Sequence, residues 1–144
     1  MSFLNSLNIP GSALTAERFR MDLIAQNLAN INTTQDAKGE PYRRKQAVFQ
    51  ERGLSFKQTL DQETGHTGGG GVRVTEVIES DKPLTPVYDP SHPQANEEGY
   101  VMMPNVNSAE EQVDFMAASR NYEANITALN IIKAMAMKAL EIGE

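Results

Sequence analysis

The sequence predicts an α+β protein: long N- and C-terminal helices pair as a coiled-coil-like α domain, and a small β-rich module is inserted between them. Three observations carry this. Apolar residues repeat at helical spacing over 12–31, the period changes to two with frequent glycine over about 35–106, and from Ser108 nothing breaks a helical pattern before Gly143. The expected division is therefore 1–34 with 107–144 as the helical unit and 35–106 as the β-rich middle, its last part (83–106) a proline-rich connector.

The first helix is expected to start after Pro10-Gly11, with Ser12 as its N-cap and Glu17 and Asp22 in its N-terminal half. Leu14, Met21 and Leu28 fall seven apart, with Ile24 and Ile31 at the offset position, which makes a heptad seam that Glu17 interrupts once. Asn30, Asn32, Thr33 and Thr34 end it, because short polar side chains compete for nearby backbone. Such a helix is about 30 Å long.

In the middle, Ala47-Val48-Phe49, then Leu54 and Phe56, then Val72, Val74 and Val77 read as short strands. Gly39, Gly53, Gly65, Gly68–Gly71 and Gly99 punctuate them, so a small and partly irregular sheet is expected. Prolines 83, 86, 90, 93 and 104 then stiffen the exit, predicting a connector poor in hydrogen bonds that holds the β region away from the last helix instead of folding it back along that helix.

The last helix opens with Ser108-Ala-Glu-Glu111, the spacing of a capping box. At about 34 residues it would be roughly 50 Å long, far beyond the first helix. One seam runs Phe115, Ala118, Tyr122, Asn125, Leu129, Ile132, Ala136 and Ala139. A second stripe, Ala117, Ala124, Ala128, Ile131, Met135 and Ile142, is expected on nearly the opposite face. One shorter helix covers only one stripe, so the other needs cover, from the β region folding back or from a neighbouring molecule, and the stiff connector makes the neighbour the better fit. Asn125, if buried in the seam, would fix register.

Composition removes several classes of function. Thirteen basic against nineteen acidic residues give a net charge of −6, which disfavours a nucleic-acid binder. With no cysteine there are no disulfides, thiol catalysis or thiolate metal sites. The N-terminus lacks the basic and apolar regions of a secretory signal, and Arg120, Glu123, Lys133 and Lys138 interrupt the apolar C-terminal region well short of a membrane span.

No catalytic, cofactor or metal constellation is found either. His66 and His92 both sit in loops. Gly68–Gly71 is followed by Val72-Arg73 and no helix, so it is a turn or link and not a phosphate loop. Asp89, His92, Glu97 and Glu98 fit no metal-ligand spacing, and Asn32-Thr-Thr34 and Asn125-Ile-Thr127 match a glycosylation triplet by chance. The basic zone of Lys38, Arg43, Arg44, Lys45, Arg52 and Lys57 reads as a solvated face, with docking on an acidic neighbour or an anionic polymer as the alternative.

Three stretches resemble one family. Ala25-Gln-Asn-Leu-Ala-Asn-Ile-Asn-Thr-Thr34, with Asn27 and Asn30, is similar to the Asn-rich motif closing the first helix of bacterial flagellar axial proteins, the rods and hook. Ala118-Ser-Arg-Asn-Tyr-Glu-Ala-Asn125 resembles the Arg-x-Tyr-x-Ala-Asn motif of the same proteins. Gly71-Val72, Val87-Tyr-Asp-Pro-Ser-His-Pro93 and Gly99-Tyr-Val-Met-Met-Pro-Asn-Val-Asn107 resemble proximal rod proteins of the basal body. Glu111-Gln112 departs from the expected Glu-Met, and the four-glycine run is longer than the pattern suggests.

The resemblance implies a non-enzymatic rod subunit of the periplasmic basal body, exported through the flagellar type III apparatus without a cleaved signal. Its partners would be other copies of itself and other rod proteins, with no cofactor, nucleic acid or small-molecule ligand. It implies helix packing by Leu14, Met21, Ile24, Asn27, Leu28, Asn30, Ile31, Phe115, Tyr122, Asn125, Leu129, Ile131, Ile132 and Met135. Tyr88, Asp89, Pro90, His92, Pro93, Gly99, Tyr100, Pro104 and Asn105 would set the connector. A cytosolic helical adaptor or export chaperone is the competing reading, and a wall-cleaving enzyme lacks the paired acids or nucleophile it needs.

Overall fold

The computed structural model describes residues 3–36, 39–53 and 70–141. Lys38, Leu54, Phe56, Lys57, Gly65, His66, Gly68, Gly69, Ile142 and Gly143 lie outside the described residues. Two long helices with a small antiparallel β module between them form an α+β fold: α1 Phe3–Ala29, β1 Lys45–Glu51, β2 Val72–Glu79, β3 Thr85–Tyr88, β4 Tyr100–Met103 and α2 Ser108–Glu141.

α1 is longer than its sequence signals suggest, 27 residues and about 40 Å, because helix continues through Pro10 and Gly11. The proline removes only the N–H that would meet the Ser6 carbonyl, and its ring is buried, so packing outweighs the local penalty. Ser12 is therefore not an N-cap. It is buried mid-helix, its hydroxyl donating to the Ile9 carbonyl at 2.8 Å and accepting from the Val72 N–H at 2.9 Å. At the other end the Asn30 side-chain amide donates to the Gln26 carbonyl at 2.8 Å, and the helix stops at Ala29.

α2 has 34 residues and is capped by Asn107, not Ser108. The Asn107 Oδ1 accepts from the Ala109 N–H at 2.9 Å and the Glu110 N–H at 3.4 Å, so the expected capping box is not formed. Glu111 has another use, described below. The two helices run antiparallel, tied by Asn27 to Glu111, Arg20 to Asp114, and Asn121 to Glu17.

β1 and β2 form one antiparallel hairpin and β3 and β4 another. In the first, the register shifts between Val48 and Phe49, leaving Thr75 unpaired, and its hydroxyl donates to the Val48 carbonyl at 3.3 Å. This hairpin lies along α1 and not along α2. Its two ends are fixed at Ser12 and Asn27, fifteen residues and about 22 Å apart on the helix. The six steps from Lys45 to Glu51 span about 20 Å, so strand and helix lengths match.

The close approach at the Ser12 end requires glycine. Gly71 has φ 81°, and a Cβ there would stand 2.2 Å from the Ser12 Oγ. Gly71→Ala is expected to lower stability by about 1–3 kcal/mol, through left-handed strain added to the displaced Ser12 contact. A urea midpoint unchanged from the parent would contradict this docking.

Residues 83–106 are also not poor in hydrogen bonds. Thr85–Tyr88 pairs with Tyr100–Met103, and the loop between them is laced by Asp89 Oδ1, which accepts from the Ser91 N–H at 3.1 Å and its hydroxyl at 2.6 Å, and by Asn96 Oδ1, which accepts from Glu98 and Tyr100. The two bonds from Ser91 hold the Asp89 carboxyl below its usual range. The prolines are tolerated because both strands of a two-stranded sheet are edges and the rest fall in turns. Rigidity comes from this hairpin, whose Tyr88 and Tyr100 rings meet edge to face with centroids 5.3 Å apart.

Candidate assembly interface

Four segments distant in sequence meet in a buried polar cluster. Asn27, 1% exposed, sits on α1 with all four side-chain hydrogen bonds made. Its Nδ2 donates to the Lys45 carbonyl at 2.9 Å and to Glu111 Oε2 at 3.0 Å. Its Oδ1 accepts from the Tyr42 hydroxyl and from the Lys45 N–H, each at 2.9 Å. Glu111 is 0% exposed, and its other oxygen accepts from Arg44 Nε. Arg44 Nη2 reaches Asp114 Oδ2 at 2.6 Å, and Asp114 in turn lies 3.7 Å from Arg20.

Electrostatics follow from this burial. Desolvation works to lower the Arg44 pKa, but hydrogen bonds to and the charges of Glu111 and Asp114 outweigh it and leave the guanidinium above its ordinary value. Burial first, then the charges of Glu111 and Glu79, push the Tyr42 phenol up. Asn105 closes the cluster from the connector side. It accepts from the Arg44 N–H at 2.8 Å and donates to the Ser80 and Lys82 carbonyls at 3.1 and 2.9 Å.

Of the basic zone Arg52 is exposed, as a solvated face requires, but Arg43, Arg44 and Lys45 are engaged within the fold. Arg44 is buried in the cluster, Arg43 donates to the Ser80 carbonyl at 3.3 Å, and Lys45 lies over the Tyr42 ring at 5.3 Å. Tyr42, Arg44, Glu111 and Asp114 were not among the expected packing residues. Glu111 does fall in register with the α2 seam, four before Phe115, which is the one sequence signal that it faces inward.

Of the expected packing residues on α1, Ile24 and Asn27 are buried and Leu14, Met21, Leu28, Asn30 and Ile31 are half-buried. On α2 the half-buried face carries Asp114, Tyr122, Asn125, Leu129, Ile132 and Ala136 around the fully buried Ala118. Phe115 and Ala139 are exposed, contrary to their place in the seam; at Phe115 this is because Glu111 and Asp114 turn the start of the helix toward Arg44. Asn125 spends its amide on the Asn121 carbonyl of its own helix at 2.8 Å, so it sets no register. In the connector Gly99 and Pro104 are buried, Asp89, His92 and Asn105 half-buried, and Tyr88, Pro90, Pro93 and Tyr100 exposed.

The second stripe is open. Ile131 is 55% and Met135 67% exposed, Ala117 and Ala124 are exposed, and only Ala128 is half-buried. At 3.6 residues per turn it lies roughly 100° around from the seam, not opposite it as expected. Beyond Ala118 no described residue of α2 is fully buried. α2 thus has one face on its partner and a second, apolar face in water, the kind of surface that marks an interaction site.

The family model for the flagella basal body rod protein matches residues 7–35, which take in the turn after α1 and all of α1 but its first turn. That for the flagellar basal body rod FlgEFG protein C-terminal matches 97–142, which span β4 and α2. The chain is 48% identical to the flagellar basal-body rod protein FlgC of Bacillus subtilis over the whole of both chains. It belongs to the FlgC family. Relatives of the same name in Escherichia coli O6:H1, 44% identical over the whole of both chains, and Borreliella burgdorferi, 40% identical over 99% of this chain and 98% of the relative, show the same full-length match. The hairpin β1–β2 lies outside both family models, whereas the Asn27 and Glu111 ends of the polar cluster lie inside them.

Proposed function

We propose that the chain is a structural subunit of the bacterial flagellar basal-body rod, stacking helically with copies of itself and with other axial proteins. Membership of the FlgC family supports the location, and the uncovered stripe of α2 is the observation that carries the assembly. One face of α2 is held by α1, and the stripe from Ala117 to Met135 packs on neighbouring subunits. Heterologous contacts of this kind do not close and so build filaments.

In this reading residues 1–34 and 107–144 form the packed helical layer, and the middle carries torque across the periplasm. The polar cluster and the Asn105 clasp make that transmission stiff, since they fix β1–β2, the connector and both helices to one another. Export proceeds through the flagellar type III apparatus without a cleaved signal. The test is to supply a tagged chain to a strain lacking its own rod subunit and to purify basal bodies. Recovery of the chain in them with motility restored is expected; a chain that stays outside the basal body as a folded dimer would favour the adaptor.

A further inference from the structure

We propose that Glu17 and Arg120 form an ion pair between two copies of this chain, an inference that rests on the assembly reading above. Glu17 lies on α1 at the rim of the helix pair. Its Oε1 accepts from the neutral Asn121 amide at 3.2 Å, and its Oε2 is buried with no hydrogen-bond partner. No cation lies within ion-pairing distance of it among the described residues. A carboxylate in that state is poorly compensated: only the Oε1 side still meets water, and another subunit covering the rim would replace that water and meet the acid at Oε1.

Arg120 has the complementary defect. It is exposed on α2, and among the described residues it makes no ion pair, hydrogen bond or ring contact. It stands three residues after Ala117 and four before Ala124, on the flank of the open stripe. Whatever covers Ile131 and Met135 therefore also meets a free guanidinium. Asn121, which holds Glu17, lies on the side of α2 between seam and stripe, so the surface bearing the orphan acid adjoins the surface bearing the free cation. A second copy supplies both: charge complementarity selects it as the occupant over a partner of uniform charge.

The pair does not form within one chain, where Asn121 and not Arg120 faces Glu17. Between stacked copies each subunit offers one acid to one neighbour and one cation to another. This gives the stack a direction and a register that apolar residues alone do not specify.

Charge reversal in the full-length chain tests it. Arg120→Glu, at an exposed position, is expected to leave the urea midpoint unchanged and reduce incorporation into basal bodies by roughly thirtyfold or more, as loss of one member of a buried interfacial pair does. Glu17→Gln, which keeps an acceptor for Asn121, is expected to act in the same direction. The chain with both Glu17→Arg and Arg120→Glu should recover incorporation. Because the chain has no cysteine, Glu17→Cys and Arg120→Cys copies expressed together can be joined by a short thiol-to-thiol linker in purified rods, and a dimer needing both is expected. No such dimer in rods that contain the chain, or a double reversal no better than either single one, would overturn the pair while leaving the subunit reading intact. A parent chain absent from basal bodies would remove both.

Discussion

Replacing Glu111 with alanine is expected to destabilise the folded chain by about 3–5 kcal/mol, the effect of leaving one charge of a buried pair alone. Arg44, 6% exposed, would keep only the half-exposed Asp114, and the Asn27 amide would lose one of its two acceptors. The loss is larger than for Asp114→Asn, because Asp114 still faces water and its attraction to Arg44 and Arg20 is screened. Combining Glu111→Leu with Arg44→Met should recover much of the stability, since an apolar pair of similar volume removes the orphan charge. Urea denaturation of the three variants reads this directly. Equal loss in the single and double variants would mean that the charges are incidental to the packing.

Ile131→Asp together with Met135→Asp is expected to give the opposite pattern. Both side chains are more than half exposed, so the monomer should lose no more than about 1.5 kcal/mol, two surface changes plus one like-charge i,i+4 pair. Incorporation into basal bodies, and with it motility, should be abolished, because two carboxylates would have to be buried without partners at each subunit contact. The measurement is the amount of chain in purified basal bodies beside the amount exported. Normal incorporation would show that the stripe faces solvent in the rod and that neighbours pack elsewhere.

The fold was legible where local chemistry and tertiary packing agree. The α2 seam from Ala118 to Ala136 and the existence of α1 follow from periodicity, because each is one continuous apolar face. The start of α1 was misread because Pro10-Gly11 is a strong local stop, and only the docking of the hairpin at Ser12 and Gly71 explains why helix persists there. The second hairpin was hidden by its prolines, although Thr85–Tyr88 and Tyr100–Met103 carry β-branched, aromatic and apolar residues around a turn.

The polar cluster was hidden for a different reason. Arg44 and Glu111 are 67 residues apart, and each has a plausible local role, one in a basic run and the other in a capping box. A single sequence shows no pairing between them. Only the heptad register of Glu111 and the family motif containing Asn27 pointed inward.

The open stripe of α2 is tested most directly by amide hydrogen exchange on the full chain, first as a dilute monomer and then in assembled rods. In the monomer the account predicts slow exchange over residues 20–29, 42–48 and 108–118, around the polar cluster, and fast exchange over 123–141, with the second region becoming slow on assembly. Equal protection along the whole of α2 in the monomer, unchanged in the rod, would contradict it.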